Sequence, residues 1–515
     1  MPRAGQRHGR ILPHQRDTND EAPVLGSELL AIENYAEDVH ETLSLEITDG
    51  VRKDYRRRIR KIIKYWKENF GEYHFIGVRQ LSEEEINDKT KFYFGRFKED
   101  IIYTGMNVQY FIKFLMDTKY KQDGKIKQFA DIRKYKDAVV WGSGVLKEAL
   151  PISFYEQVDK YLKSYKRVVA KAKKEGNVDE RSADPISTQL YKLILQWAIE
   201  NNNMFLWLWT LAQWNCMARC ASVDPLGFHN ISVGLDSIKC SYDDSKADKD
   251  GEKLSEKNIY ANPLDYRQCF WTSFAVYCCI HSESLCLYEK LFLKSGSKEG
   301  SAGGRYQEQL LGLLKSKRQI VMNHIRLEHA NAYGLRKGSA THATSGTTCP
   351  PPIPSIARRG EWSMGTVLDV YWHFSEPRDH YLGRILSGMD PSKEDFGTLP
   401  PHFSVVDPLS DPDIKKAAEM VFGGLLNAYT GLPNDPKPIL IRCLACLVFH
   451  SEELISVMNS SPGHDFTKIT ILHDRELLNS LRNKVTLDKT EGVMCHATGI
   501  PPHVELAIRS KVRVA

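Results

Sequence analysis

From Arg52 onward, Ile59, Ile62, Ile63, Trp66 and Phe70 recur at three- and four-residue spacing, while Arg56, Arg57, Arg58, Arg60, Lys61 and Lys64 fill the positions between them. That period predicts a helix with one face that packs and one cationic face that can meet an anion. Two further helices are predicted in the same stretch. One lies around Val108, Phe111, Ile112 and Leu115, and the other begins at Pro151 and runs through Phe154, Val158, Tyr161 and Leu162 into RVVAKAKK. The polar run KKEGNVDERSADP, residues 173–185, breaks the period and ends in Pro, which marks a boundary. Beyond it Ser187 reads as the N-cap of STQLYKLILQWAIE, and FLWLWTLAQW is apolar all round, the pattern of a buried helix. FHNISVGLDSIKCSY, the polar DDSKADKDGEK and KNIYANP read as strand, loop, strand. Helical periodicity returns over residues 265–330, interrupted by SGSKEGSAGG, and PILIRCLACLVF reads as one more buried helix. The fold class expected is mostly α with a small β-hairpin or sheet (α+β).

At 515 residues the chain exceeds what one core organises, about 250–300 residues, so several domains are expected. The pattern divides it into a polar, poorly ordered segment at 1–45, a basic helical domain at 46–176, a linker at 177–184, a mixed α+β domain at 185–390 and a helical extension at 391–515. The net charge of +5 says little until it is split by segment: residues 51–176 carry 30 basic and 17 acidic side chains. A surplus confined to one domain-sized block is the asymmetry of a module that follows a phosphate backbone. Arg56, Arg57, Arg60, Lys61 and Lys64 are then its candidate DNA contacts. The chain has no run of 18 or more apolar residues, and MPRAGQRHGRILPHQR lacks the apolar stretch of a signal peptide, so neither a membrane span nor secretion is expected. The 11 Cys sit mostly in apolar segments such as VYCCI and ARC, which suggests reduced thiols in a cytosolic or nuclear protein.

Four short pieces carry the candidate chemistry. Arg219 follows the Trp-rich helix, Lys246 lies in the polar loop 27 residues later, YGLRKGSATHA centres on Arg336, and GEWSMGTVLDVYWHF places Trp362 nine residues before Tyr371. In this order and spacing the chain resembles the tyrosine recombinase (phage-integrase) family, most of all the recombinases of eukaryotic Crypton-type mobile elements. The family pattern is an Arg after a buried helix, a Lys in the following hairpin, an H-x-x-R box, and a His or Trp nine residues before a nucleophilic Tyr. The resemblance spans Arg219 to Tyr371, with a looser likeness in the basic helical domain before it. It departs at Tyr333, which heads the box where His is usual, and at Ser222, where many members carry an acidic residue.

The resemblance implies DNA cleavage and rejoining through a 3′-phosphotyrosine. Elementary chemistry assigns the roles consistently. Two guanidinium forks, Arg219 and Arg336, suit the non-bridging oxygens of a pentacoordinate phosphate. Cations beside Tyr371 favour its oxyanion, Lys246 is the candidate proton donor to the leaving 5′-oxygen, Trp362 offers an N–H donor, and Tyr333 a hydroxyl. Lys239, Lys249 and Lys253 compete with Lys246, and His324, His329, His342 and His373 are further candidates for proton transfer. Because the phosphotyrosine conserves the bond energy, no nucleotide, metal or other cofactor is expected. Cys443, Cys446, Cys495 and His496 have the residue types of a zinc site, although the CxxC lies in an apolar run without a spaced second pair. The partners implied are double-stranded DNA and three further copies of the chain in a homotetramer on DNA, in the nucleus, with DHYLGRILSGM as a helix exchanged between neighbours. A DNA-binding protein derived from a recombinase, and a topoisomerase-like enzyme, are the other readings.

Overall fold

The computed structural model describes residues 49–71, 78–84, 99–178, 182–243, 256–287, 290–292, 301–347, 349–364, 376–430 and 435–488. The chain is mostly helical with small antiparallel sheets, and it divides into two compact units between Glu180 and Arg181. The division falls inside the predicted linker. The segment 1–45 lies outside the described residues.

In the first unit the predicted cationic helix is α1 (Asp49–Phe70), which packs against α2 (Val108–Thr118) and α3 (Phe129–Val145), with α4 (Ile152–Lys174) completing the layer. Ile59, Ile62, Ile63 and Trp66 are buried with Phe111, Phe114, Tyr135 and Phe154, each large apolar side chain contributing about 1.5–3 kcal/mol. Asn107 caps α2 by accepting from the amides of Gln109 and Tyr110, and Pro151 stands immediately before α4. The α3 helix, with Gly142 and Gly144 near its end, has no counterpart in the sequence reading. A short hairpin, β1 (Val78–Gln80) and β2 (Glu99–Ile101), pairs Val78 with Ile101.

The second unit is built on α5 (Thr188–Glu200) and α6 (Met204–Asn215). Ser187 caps α5 by accepting from the Leu190 amide, and every residue of α6 is buried, three of its Trp side chains included. A three-stranded antiparallel sheet follows: β3 (Ile231–Val233), β4 (Ile238–Cys240) and β5 (Lys257–Ile259). Its register places Cys240 opposite both Ile231 and Lys257. Next come α7 (Phe270–Ile280), α8 (Ala302–Ser316), α9 (Tyr333–Ser345), α10 (Ile353–Arg359) and α11 (Glu376–Leu386). The apolar segment PILIRCLACLVF forms α12 (Lys437–Phe449), which packs on α7. Residues 391–488 therefore share the core of the unit that begins at Arg181, rather than forming an appendage. The strands β6 (His402–Phe403) and β7 (Val485–Thr486) tie that segment back on itself. No helix among the described residues is long and apolar enough to cross a membrane.

Candidate active site

The α6 helix ends at Asn215, and the chain turns through Met217, whose φ is +48°. Arg219 emerges from that turn in extended conformation, just ahead of the helical turn Cys220–Val223. One buried side chain sets this turn. Gln213 donates from Nε2 to the carbonyls of Ala218 at 3.3 Å and Ala332 at 2.9 Å, so the residue before Arg219 and the residue before α9 share one anchor.

Arg336 lies in the first turns of α9, 1% exposed. The helix can approach the start of the unit this closely because residue 338 is glycine: a Cβ there would fall 1.9 Å from the Ile186 carbonyl oxygen. The Arg336 fork donates from Nη1 to the Met217 carbonyl at 2.7 Å and from Nη2 to the Gly360 carbonyl. Its Nε is buried with no hydrogen-bond partner among the described residues. Its guanidinium lies 5.4 Å from the centre of the Trp362 ring, a cation–π distance. Burial first, and then repulsion from Arg219, lower its pKa from the ordinary value; a guanidinium nevertheless stays charged.

The third strand of the site is the end of α10. The Glu361 amide donates to the Arg358 carbonyl at 2.9 Å and the Trp362 amide to the Ala357 carbonyl at 2.8 Å, the pair of bonds that closes a helix when the residue past its end is left-handed. Glycine usually occupies that position. Here the chain has Glu361 with φ +53°, and a non-glycine residue in that region costs about 1–2 kcal/mol. Its carboxylate spans two cations: Oε2 lies 3.3 Å from Arg219 Nη1 and Oε1 lies 3.2 Å from Lys257 Nζ. Lys257 opens β5, its side chain 2% exposed, with the ammonium 3.9 Å from the centre of the Tyr242 ring. Beneath it the Cys216 thiol is drawn below its ordinary pKa, chiefly by the Cys240 side chain and then by the charges of Arg359 and Lys257.

Arg219, Arg336 and Trp362, far apart in sequence, are thus brought together, and Tyr333 stands near them at the head of α9, 43% exposed. Tyr371 and Lys246 lie outside the described residues, as do Lys249, Lys253 and His373. Lys239 pairs instead with Glu256 at 2.9 Å. Ser222 is buried in the turn after Arg219. The other candidate histidines have partners of their own. His324 meets Ser187, His329 meets Asp184, and His342 packs on Trp214, where burial lowers its pKa. Cys443 and Cys446 are buried in α12, and no group of three metal-ligating side chains occurs among the described residues; Cys495 and His496 lie outside them.

Sequence reasoning missed Lys257 and Glu361. Lys257 reads as an ordinary polar residue opening the KNIYANP strand, and only the β4–β5 register carries it inward. Glu361 could have been found from its place between Gly360, a helix-ending signal, and the Trp of the motif. In the first unit Arg57, Arg60, Lys61 and Lys64 are exposed along α1 and Arg56 is half-buried. Set against known proteins, the chain matches no family model and no curated protein.

Proposed function

We propose that the chain cleaves and rejoins DNA strands as a tyrosine recombinase, with Tyr371 as nucleophile and Arg219 and Arg336 holding the scissile phosphate. The observation that supports the reading is the convergence of Arg219, Arg336 and Trp362, residues singled out by the family resemblance: Arg336 lies over the Trp362 ring and senses the charge of Arg219, which is itself paired with Glu361. A carboxylate held by a guanidinium and an ammonium is the nearest analogue a protein contains of a phosphate held the same way. In the reaction the Tyr371 oxygen would bond to phosphorus as the bond to the 5′-oxygen breaks. A cation of the site would deliver the proton the leaving oxygen needs, and the reverse step would restore the phosphodiester. The cationic face of α1 would hold the duplex through its phosphates, in a homotetramer on nuclear DNA.

A nicked suicide duplex tests this directly, because its cleaved end diffuses away and traps a covalent protein–DNA adduct. The expected result is an adduct that is absent in Tyr371→Phe. A second reading, a DNA-binding protein that has lost strand exchange, draws support from Tyr333 in place of His and from the carboxylate already seated between Arg219 and Lys257. It predicts tight, salt-sensitive binding with no adduct on any duplex.

A further inference from the structure

We infer that the acidic stretch of residues 17–46 docks on the cationic face of α4 in its own chain and screens that face from external polyanions. The inference stands apart from the cleavage chemistry proposed above and rests on where the first unit keeps its unbalanced charge.

From Lys160 to Lys174 the α4 helix carries seven basic side chains and no acidic one. Lys160, Lys163, Arg167, Lys171 and Lys174 follow one another at three- and four-residue steps, all exposed, and form a stripe opposite the buried Phe154, Val158, Leu162, Tyr165 and Val169. With the rise of an α-helix this stripe is about 21 Å long. None of its five cations has an ion-pair partner among the described residues. The negative end of the helix accounts for Lys171 and Lys174 in the last turn, but not for Lys160, Lys163 and Arg167 further back, where like charges four residues apart repel. The other cationic helix differs. On α1, Arg57 and Arg58 share Asp54, Lys64 meets Glu68, and Lys67 meets Glu99, so that helix carries counter-charges of its own and α4 does not.

The missing counter-charge is present in the sequence of the same unit. Residues 17–46 hold nine acidic side chains and no Lys or Arg, the composition of an interaction tail. Glu33, Glu37 and Glu41 recur at the same four-residue interval as Lys163, Arg167 and Lys171. Asp49, where α1 starts, follows Glu46 within three residues. The chain from Glu33 to Asp49 extends to about 54 Å, against a radius of gyration of about 14 Å for a unit of this size, so the tether reaches every face of the unit. Tethering also holds the carboxylates near α4 at an effective concentration in the millimolar range, on the order of 1 mM or more. A free polyanion at lower concentration therefore meets a stripe already occupied, and salt weakens both contacts.

Two measurements on the full chain test the docking. Carbodiimide coupling joins a carboxylate to an amine only where the two touch, and is read by mass spectrometry on an equal mixture of unlabelled and nitrogen-15-labelled chains. Links from Glu33, Glu37 or Glu41 to Lys163, Lys166 or Lys171 are expected, within chains of one isotope and fading as salt rises. In the second measurement Glu33, Glu37 and Glu41 are changed together to Gln and binding to a random-sequence duplex is compared with wild type. The expected gain in affinity is about tenfold at low salt, and it should vanish when Lys163→Ala, Arg167→Ala and Lys171→Ala, all on the exposed face, are added. Absence of those links, links chiefly to Lys53, Lys61 or Lys64 of α1, or links between isotopes, which mean a second copy, would each overturn the inference. So would an unchanged affinity, or a gain that survives the α4 substitutions. Neither measurement depends on whether Tyr371 forms an adduct.

Discussion

Arg359 and Asp379 form an ion pair of 2.6 Å, their side chains 0% and 1% exposed, across the two ends of the segment that carries Trp362 and Tyr371. The pair does more than hold two helices together. Arg359 also donates to the carbonyls of Asn215 at 2.9 Å and Asn258 at 2.8 Å, while Asp379 accepts from the Asn258 amide at 2.7 Å. The end of α6, the middle of β5, the end of α10 and the start of α11 therefore meet at one joint. Asp379→Asn removes the counter-charge and leaves a guanidinium buried alone, which costs about 3–5 kcal/mol. The expected outcome in urea is a lower unfolding midpoint for the second unit, and a smaller yield of covalent adduct at temperatures where the variant is still folded. A midpoint within error of wild type would show that the joint is not what closes the segment.

The α11 helix has a second buried anchor. Arg384 donates to Asp236 at 2.7 Å and Tyr260 donates to the same carboxylate at 2.9 Å, so in the single chain DHYLGRILSGM, the segment that the family resemblance offers for exchange between neighbours, is anchored by its own buried ion pairs. Its apolar side chains Leu382, Ile385 and Leu386 are buried there. The sequence pattern of that segment is amphipathic either way; what decided its position was the match of Arg384 to Asp236, in the turn between β3 and β4, and of Asp379 to Asn258 on β5, each more than 100 residues earlier. Local periodicity made α1, α2, α4, α5, α6 and α12 legible, because a helix face reveals itself within its own sequence. It could not reveal Lys257 or Glu361, whose roles come from a strand register and from one residue with positive φ. Nor did the charge split anticipate that residues 391–488 belong to the same core as Arg219, since apolar helices look alike wherever they dock.

In the first unit a buried acid gives stability an unusual dependence on pH. Asp100 is fully buried in β2; its Oδ1 accepts from the Ile101 amide at 2.7 Å and from Tyr103 at 3.1 Å, while Oδ2 has no partner among the described residues. Burial, the largest cause, raises its pKa from the ordinary 3.8 to about 7. The folded state then holds a proton that the unfolded state has already lost, so the contribution of Asp100 to stability is most favourable below about pH 4 and declines as pH rises to about 7. The size of the effect is at most about 4 kcal/mol. Denaturation of wild type and Asp100→Asn between pH 5 and 8 should show a declining contribution in wild type that the variant lacks. Parallel slopes for the two would remove Asp100 from the account.

The cationic face of α1 makes a separate prediction about salt. Lys61 is exposed and contributes nothing to the core formed by Ile59, Ile62 and Trp66, so Lys61→Ala should change stability by no more than about 0.5 kcal/mol. If Lys61 contacts a phosphate, the slope of log affinity for duplex DNA against log salt should fall by about 1, equally for unrelated sequences. A slope unchanged by Lys61→Ala and by Lys64→Ala would place the DNA contacts on another face.

If the chain cleaves DNA as proposed, which lysine serves the leaving group can be decided by chemistry rather than by structure. A 5′-oxygen leaves poorly without a proton, whereas a sulfur in the same bridging position leaves readily as a thiolate and needs none. Loss of the proton donor should therefore slow cleavage of an ordinary duplex and be rescued on a duplex with a 5′-bridging sulfur. Loss of a cation that only holds the phosphate should slow both substrates equally. Lys257 lies 3.2 Å from Glu361, which also pairs with Arg219, and is buried, which suits a holding role; Lys246, which falls between β4 and β5 in sequence, is the candidate for delivery. The expected result is sulfur rescue of at least tenfold for Lys246→Met and none for Lys257→Met. Rescue of Lys257→Met instead would move the acid onto β5, where its ammonium would have to part from Glu361 before it could reach the leaving oxygen.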